Sequence, residues 1–181
     1  ISSEVERHRT KVPAGYRGFV PSDYRKLYSV LRLIERKRLT CGMKFCEWGS
    51  GIGIATMIAS MVGFEAHGIE IDPALVKVAG RLSHQHGLAV NIACGSFIPE
   101  GVDDLIDLAF AENDGSISMV IEAVDAYSEL GLEIDEFDIV FCFPWPTDET
   151  LTAEIFDRCA STGALLLTYD EMNGFSLRRK D

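Results

Sequence analysis

The chain contains no CxxC pair, although it has five cysteines (Cys41, Cys46, Cys94, Cys142 and Cys159). An odd set of widely spaced thiols supports neither a disulfide framework nor a zinc ribbon. They are expected to be reduced thiols packed in or near the core of a cytoplasmic protein. His84 and His86 lie two positions apart, which on a helix points them to different sides, so no metal site is expected. A membrane-spanning run is also missing: the apolar uncharged stretch 48–64 is 17 residues long and is broken by glycines, too short to cross a bilayer. The sequence carries no internal repeat and no low-complexity tract, and its first residues are charged, with no apolar segment of the signal-peptide type.

Positive charge is the most unevenly missing ingredient. From Leu82 to Asp157 there is no Lys or Arg, against 17 Asp and Glu. The remainder holds 11 acids and all 17 bases, a balance of +6, and 11 of those bases lie between Arg7 and Lys44. The whole therefore carries a net charge of −11. An acidic middle of this size repels phosphate backbones and attracts cations, which argues against nucleic acid as a partner and for a cationic one.

What is present suffices for a packed core. Apolar residues make up 47% of 181 positions, enough for one domain of ordinary size and too many for a disordered chain. A polar arm reaches Phe19-Val20-Pro21. Ser22 can then cap a helix in which Leu27, Leu31 and Ile34 form a stripe at helical spacing, ending near Arg38. Apolar runs at 43–48, 65–71, 88–93, 137–143 and 164–169 read as strands, with a final edge strand near 175–179. Between them, helices are expected over 52–61, from Asp72-Pro73 to about His86, near 103–111 and 116–130, and over 149–159. Strands alternating with helices imply a three-layer α/β/α sandwich around a mostly parallel sheet. One domain is expected over 1–181, with the arm and first helix at 1–40 and a ligand-binding core at 41–181.

The most informative string is Phe45-Cys46-Glu47-Trp48-Gly49-Ser50-Gly51-Ile52-Gly53. Its glycines fall where a strand turns into a helix, the place where a ligand passes close to backbone. A dinucleotide fingerprint requires GxGxxG, and the position three after Gly51 is Ile54. The spacing is GxGxG, with an acid two residues before the first glycine. A second acid, Glu70, ends the next strand 19 residues after Gly51; a carboxylate there can accept from both hydroxyls of a ribose.

The string resembles motif I of class I S-adenosylmethionine-dependent methyltransferases, and the likeness extends from about Phe19 to Tyr169. It implies a Rossmann-like fold, here with a shortened C-terminal strand pair, and S-adenosyl-L-methionine as cofactor. On that likeness, Glu47, Gly49, Ser50, Gly51 and Gly53 hold the amino-acid end of the cofactor, and Glu70, with Ile71 beside it, holds the ribose. Gly95, Ser96 and Phe97 stand where the family contacts adenine. Phe19 and Pro21 are similar to an arm that lies near the cofactor in seven-strand protein-lysine methyltransferases, and Phe143 follows the fourth strand beside the cofactor.

Pro144 and Trp145 lie where the methyl acceptor would approach, and Trp145 can stack on a ring or box a cation. Amino-group methyltransferases of nucleic acids often carry Asn or Asp just before; this chain has Cys142 or Phe143 there, which argues against a base amine. Asp148 is a candidate for attracting or deprotonating a cationic acceptor. The expected activity is in-line methyl transfer to a protein amine or a small cationic molecule. Two other readings stay open: an NAD(P)-binding oxidoreductase, and a cofactor-binding scaffold without turnover.

Overall fold

A computed structural model describes residues 22–112, 124–144 and 147–181. The expectations placed on Phe19, Pro21, Trp145 and the segment 116–123 fall outside them. Helix α1 (Tyr24–Lys37) is started by Asp23, whose carboxylate accepts from the Lys26 amide at 3.1 Å. The cap is therefore Asp23 and not the expected Ser22. The helix ends at Arg38 in the left-handed region, φ 51°.

The remaining elements are β1 (Lys44–Trp48), α2 (Ile54–Val62), β2 (Glu65–Glu70), α3 (Pro73–His86), β3 (Val90–Cys94), α4 (Asp103–Glu112) and α5 (Ala126–Leu130). A short 3-10 turn at Ile134–Glu136 leads to β4 (Ile139–Cys142), α6 (Glu149–Cys159), β5 (Leu165–Asp170) and β6 (Gly174–Arg179). Helix α5 begins at Ala126 because Asp125 caps it, accepting from the amides of Tyr127 and Ser128. The sequence pattern had extended that helix back to Ser116.

The six strands lie in the order β3-β2-β1-β4-β5-β6. All neighbours are parallel except β5 and β6, which run antiparallel. Because side chains alternate across a strand, each strand feeds both faces. Phe45, Ile139, Phe141, Leu165 and Leu167 pack with α1 and α2 on one face. Cys46, Ile69, Val140, Cys142 and Leu166 pack with α4, α5 and α6 on the other. The apolar runs of β4 and β5 are continuous because both faces are covered.

Of the thiols, Cys46 and Cys142 are buried and Cys94 and Cys159 partly so, but Cys41 is exposed, contrary to expectation, in the turn before β1. Among the described residues, no helix is long and apolar enough to cross a membrane. The chain runs outward from β1 through β2 to β3, then returns to the far side of β1 as β4. Parallel sheets open a crevice at such a reversal, outside the carboxyl ends of the strands.

Candidate functional site

The glycine turn sits at that crevice, between the end of β1 and the start of α2. Gly49, Gly51 and Gly53 have φ of 70°, 56° and 74°, a region that L side chains avoid. Space is a separate matter. A Cβ on Gly49 would meet nothing within 4 Å, so its requirement is conformational and the turn there is open. A Cβ on Gly53 would lie 2.6 Å from Ile92 Cδ1, so this glycine also lets α2 approach β3.

Several backbone donors of the turn are already engaged. Ser50 N–H donates to Ile69 O at 2.8 Å, and Gly53 N–H donates to Ser50 O at 2.8 Å. Gly51 N–H donates to Glu70 Oε2 at 2.7 Å. At the start of α2, Thr56 donates both its N–H (2.8 Å) and its hydroxyl (2.5 Å) to Glu47 Oε2. The carboxyl group of Glu47 thus fills the helix N-terminus, the position where an anionic ligand is ordinarily held.

Glu47 is 8% exposed, and burial lifts its carboxyl to about 8, against the lowering effect of the two Thr56 hydrogen bonds. Thr56 was not singled out in the sequence; its only signal was a hydroxyl three residues after the last glycine of the turn.

Glu70 ends β2 and is also 8% exposed. Its second oxygen, Oε1, accepts from Asp72 N–H at 2.9 Å. Each carboxylate oxygen has two acceptor sites, so both keep capacity for a ligand hydroxyl. Asp72 is the helix-capping acid, accepting from Ala74 N–H at 2.7 Å. Ile71, 37% exposed, lies between the two acids as an apolar surface at the rim of the crevice.

Four expected site residues take other parts. The side chain of Ser50 turns beneath the loop against β2, with Cβ and Oγ each 2.9 Å from where a Gly68 Cβ would stand. Its amide and carbonyl are also used, so Ser50 builds the turn, and its buried Oγ has no hydrogen-bond partner among the described residues. Gly95 is required by the chain itself, since a Cβ there would lie 2.2 Å from the Val124 carbonyl. Ser96 pairs in a parallel bridge with Asp125, and its Oγ accepts from Ile98 N–H at 3.1 Å. Asp148 is 1% exposed and stands just ahead of α6. It does not project into open space as a group attracting substrate would, because the chain turns inward there to begin the helix.

Phe97 stacks on Trp48, with ring centroids 5.1 Å apart and planes 9° from parallel, and its carbonyl accepts from the Tyr127 hydroxyl. One face of the Phe97 ring is therefore covered by protein. Phe143 and Pro144 follow β4 half-buried, and the Phe143 ring meets Tyr169 of β5 in a near-perpendicular contact at 5.1 Å and 83°. Tyr169 was another residue that the sequence reading did not select.

No protein-family model matches the sequence, and no curated protein does. Solved structures do resemble the fold. An RNA methyltransferase from Salinibacter ruber, in complex with S-adenosyl-L-homocysteine, aligns at 20% identity with a TM-score of 0.56, covering 83% of this chain and 78% of the other. A hypothetical protein of Thermus thermophilus aligns at 19% identity and TM-score 0.54, covering 94% and 91%. A methyltransferase from Geobacter sulfurreducens gives 20% identity and 0.53, covering 92% and 68%. With its strand order, its crevice at the β1/β4 reversal and these likenesses, the chain has the Rossmann-like fold of class I S-adenosylmethionine-dependent methyltransferases.

Proposed function

We propose that the protein is an S-adenosylmethionine-dependent methyltransferase acting on an amine, either a protein lysine or a small cationic molecule. The observation that carries the cofactor reading is the self-filled helix N-terminus. A dinucleotide places its pyrophosphate on the free N–H groups of a glycine turn and the following helix. Here the amides of Ser50, Gly51, Gly53 and Thr56 are bonded internally, two of them to carboxyl groups. Such a turn offers phosphate fewer free donors, and it suits a ligand with a ribose and an ammonium that can displace the Glu47 proton.

The residues fit S-adenosylmethionine in that sense. Glu47, with Oε2 clamped by Thr56, directs Oε1 toward an ammonium group. Glu70 accepts from ribose hydroxyls, Ile71 and Phe97 flank adenine, and the open space over Gly49 admits the ligand beside the backbone. When bound, the cofactor supplies an activated methyl group on sulfonium, whose C–S bond breaks as the bond to the acceptor nitrogen forms. The protein's own contribution is to exclude water, hold both partners in line and receive an acceptor that has already lost its proton. The whole of 1–181 is taken as one such domain.

Calorimetric titration of wild type and Glu70→Ala with S-adenosylmethionine, S-adenosylhomocysteine and NADH tests this reading. Selective binding of the first two, weakened at least roughly tenfold in the variant, is expected; binding of NADH alone would overturn it. Transfer of labelled methyl to lysine-rich peptides and to RNA then tests the acceptor. Labelled RNA without labelled peptide would refute the amine assignment, in keeping with the name of the Salinibacter neighbour.

A further inference from the structure

Two helices on opposite faces of the sheet carry opposite charge. Helix α1 covers one face through Leu27, Leu31 and Ile34, and α4 covers the other through Leu105, Ile106 and Ala109. Eight residues of α1 are exposed; five of them are bases and none is an acid. Six described residues of α4 are exposed; three of them are acids and none is a base. The net charge of −11 hides this division because it sums over both faces.

Helical periodicity builds the two surfaces alike. Arg25, Arg32 and Arg36 form a crest along α1, opposite its buried stripe, with Tyr28 on one flank and Leu33 on the other. Asp103, Asp104 and Asp107 form the crest of α4, with Leu108 and Phe110 on its flanks. All four of these apolar side chains are exposed. Glu35 pairs with Arg32 at 3.3 Å, and Arg158 pairs with Asp104. Among the described residues, no ion pair engages Arg25, Arg36, Asp103 or Asp107.

A crest of guanidinium groups and a crest of carboxylates, each flanked by two uncovered apolar side chains, match in charge and in apolar surface. They lie on opposite faces of the sheet, so no chain can join its own pair. We propose that α1 of one molecule docks on α4 of a second copy, in a head-to-tail contact that leaves a free crest at each end for further copies. Two single helices cover less than the ~1,200 Å² that a stable complex buries, so the contact is transient, with an expected dissociation constant of about 10–100 µM. The net charge repels the copies at long range. In about 0.1 M salt the Debye length is about 10 Å, which screens that repulsion and spares charges in direct contact. None of this depends on the methyltransferase reading.

Sedimentation velocity of the full chain, from about 10 to about 500 µM, tests the contact. In about 0.1 M salt the average mass is expected to rise with concentration above the monomer value, and in about 1 M salt to return to it. Arg32→Glu with Arg36→Glu, and separately Asp103→Lys with Asp107→Lys, are each expected to leave a monomer over the same range. An equimolar mixture of the two variants, and one chain carrying all four substitutions, are expected to associate again, because each restores opposite charge across the contact. That restoration separates lost docking from damage to either helix. A wild type that stays monomeric in 0.1 M salt, association that persists in 1 M salt, or reversal without restoration would each overturn the proposal. Binding of single-stranded RNA by a chain that never self-associates would overturn it too, and would assign the α1 crest to a phosphate backbone.

Discussion

Replacing Glu47 by Gln keeps the acceptor that Thr56 uses and removes the ionisable proton. The wild-type carboxyl, ordinarily near 4.5, is raised by burial to about 8. Between those values the native chain holds a proton that the unfolded chain has released. Linkage then makes stability fall as pH rises: the contribution is fully present below about 4.5, declines through the interval, and is gone above about 8. The slope is at most ~1.4 kcal/mol per pH unit, which sets a ceiling of about 5 kcal/mol over the whole interval.

Urea denaturation of both proteins in parallel, from about pH 5.5 to pH 8.5, isolates the effect, because every other titrating group is common to the two. The free-energy difference, wild type minus Glu47→Gln, is expected to drop steadily with pH and to flatten near the top of the range. Parallel profiles across the range would refute the assignment of a buried, proton-holding Glu47.

Two further outcomes follow from the same geometry. If S-adenosylhomocysteine places its ammonium at Glu47, the carboxyl must ionise, so binding near neutral pH releases close to one proton per ligand; calorimetry in buffers of different ionisation enthalpy reads it, and Glu47→Gln should bind without that release. Gly95→Ala drives a Cβ to 2.2 Å from the Val124 carbonyl and is expected to destabilise the fold by about 1–3 kcal/mol, measured by thermal or urea unfolding; an unchanged midpoint would mean that the 124–126 segment does not pack on β3 as described.

The elements legible in the sequence were those whose cause is local. Helix α3 begins at Pro73 behind a capping Asp72, and α6 spans Glu149–Cys159, both as the pattern predicts. Strand β1 stops where glycine begins. Glu47, the glycine turn and Glu70 were legible for the same reason: acid, turn and acid occur in one continuous stretch of chain.

What escaped was set by contacts distant in sequence. Asp125 starts α5 while pairing with Ser96, which no helical periodicity reveals. The packing of Ser50 against Gly68 and of Gly95 against the Val124 carbonyl joins residues 18 and 29 apart, and no local pattern marks either contact. The Phe143–Tyr169 contact depends on the register of β4 with β5, residues 26 apart in the chain.

The outermost position of β6 has a consequence for how the molecule meets its own copies. Among the described residues this strand has a neighbour on one side only; it ends in Arg178 and Arg179, with Lys180 following. These cations secure the strand, Arg178 to Asp157, Arg179 to the carbonyls of Leu39 and Gly163, and Lys180 to that of Ala160. They also guard it: a second β6 laid alongside in parallel register would bring clusters of like charge close together and strip water from them. The rim of the sheet is therefore electrostatically insulated against in-register stacking, and raising the salt concentration is what would weaken that insulation.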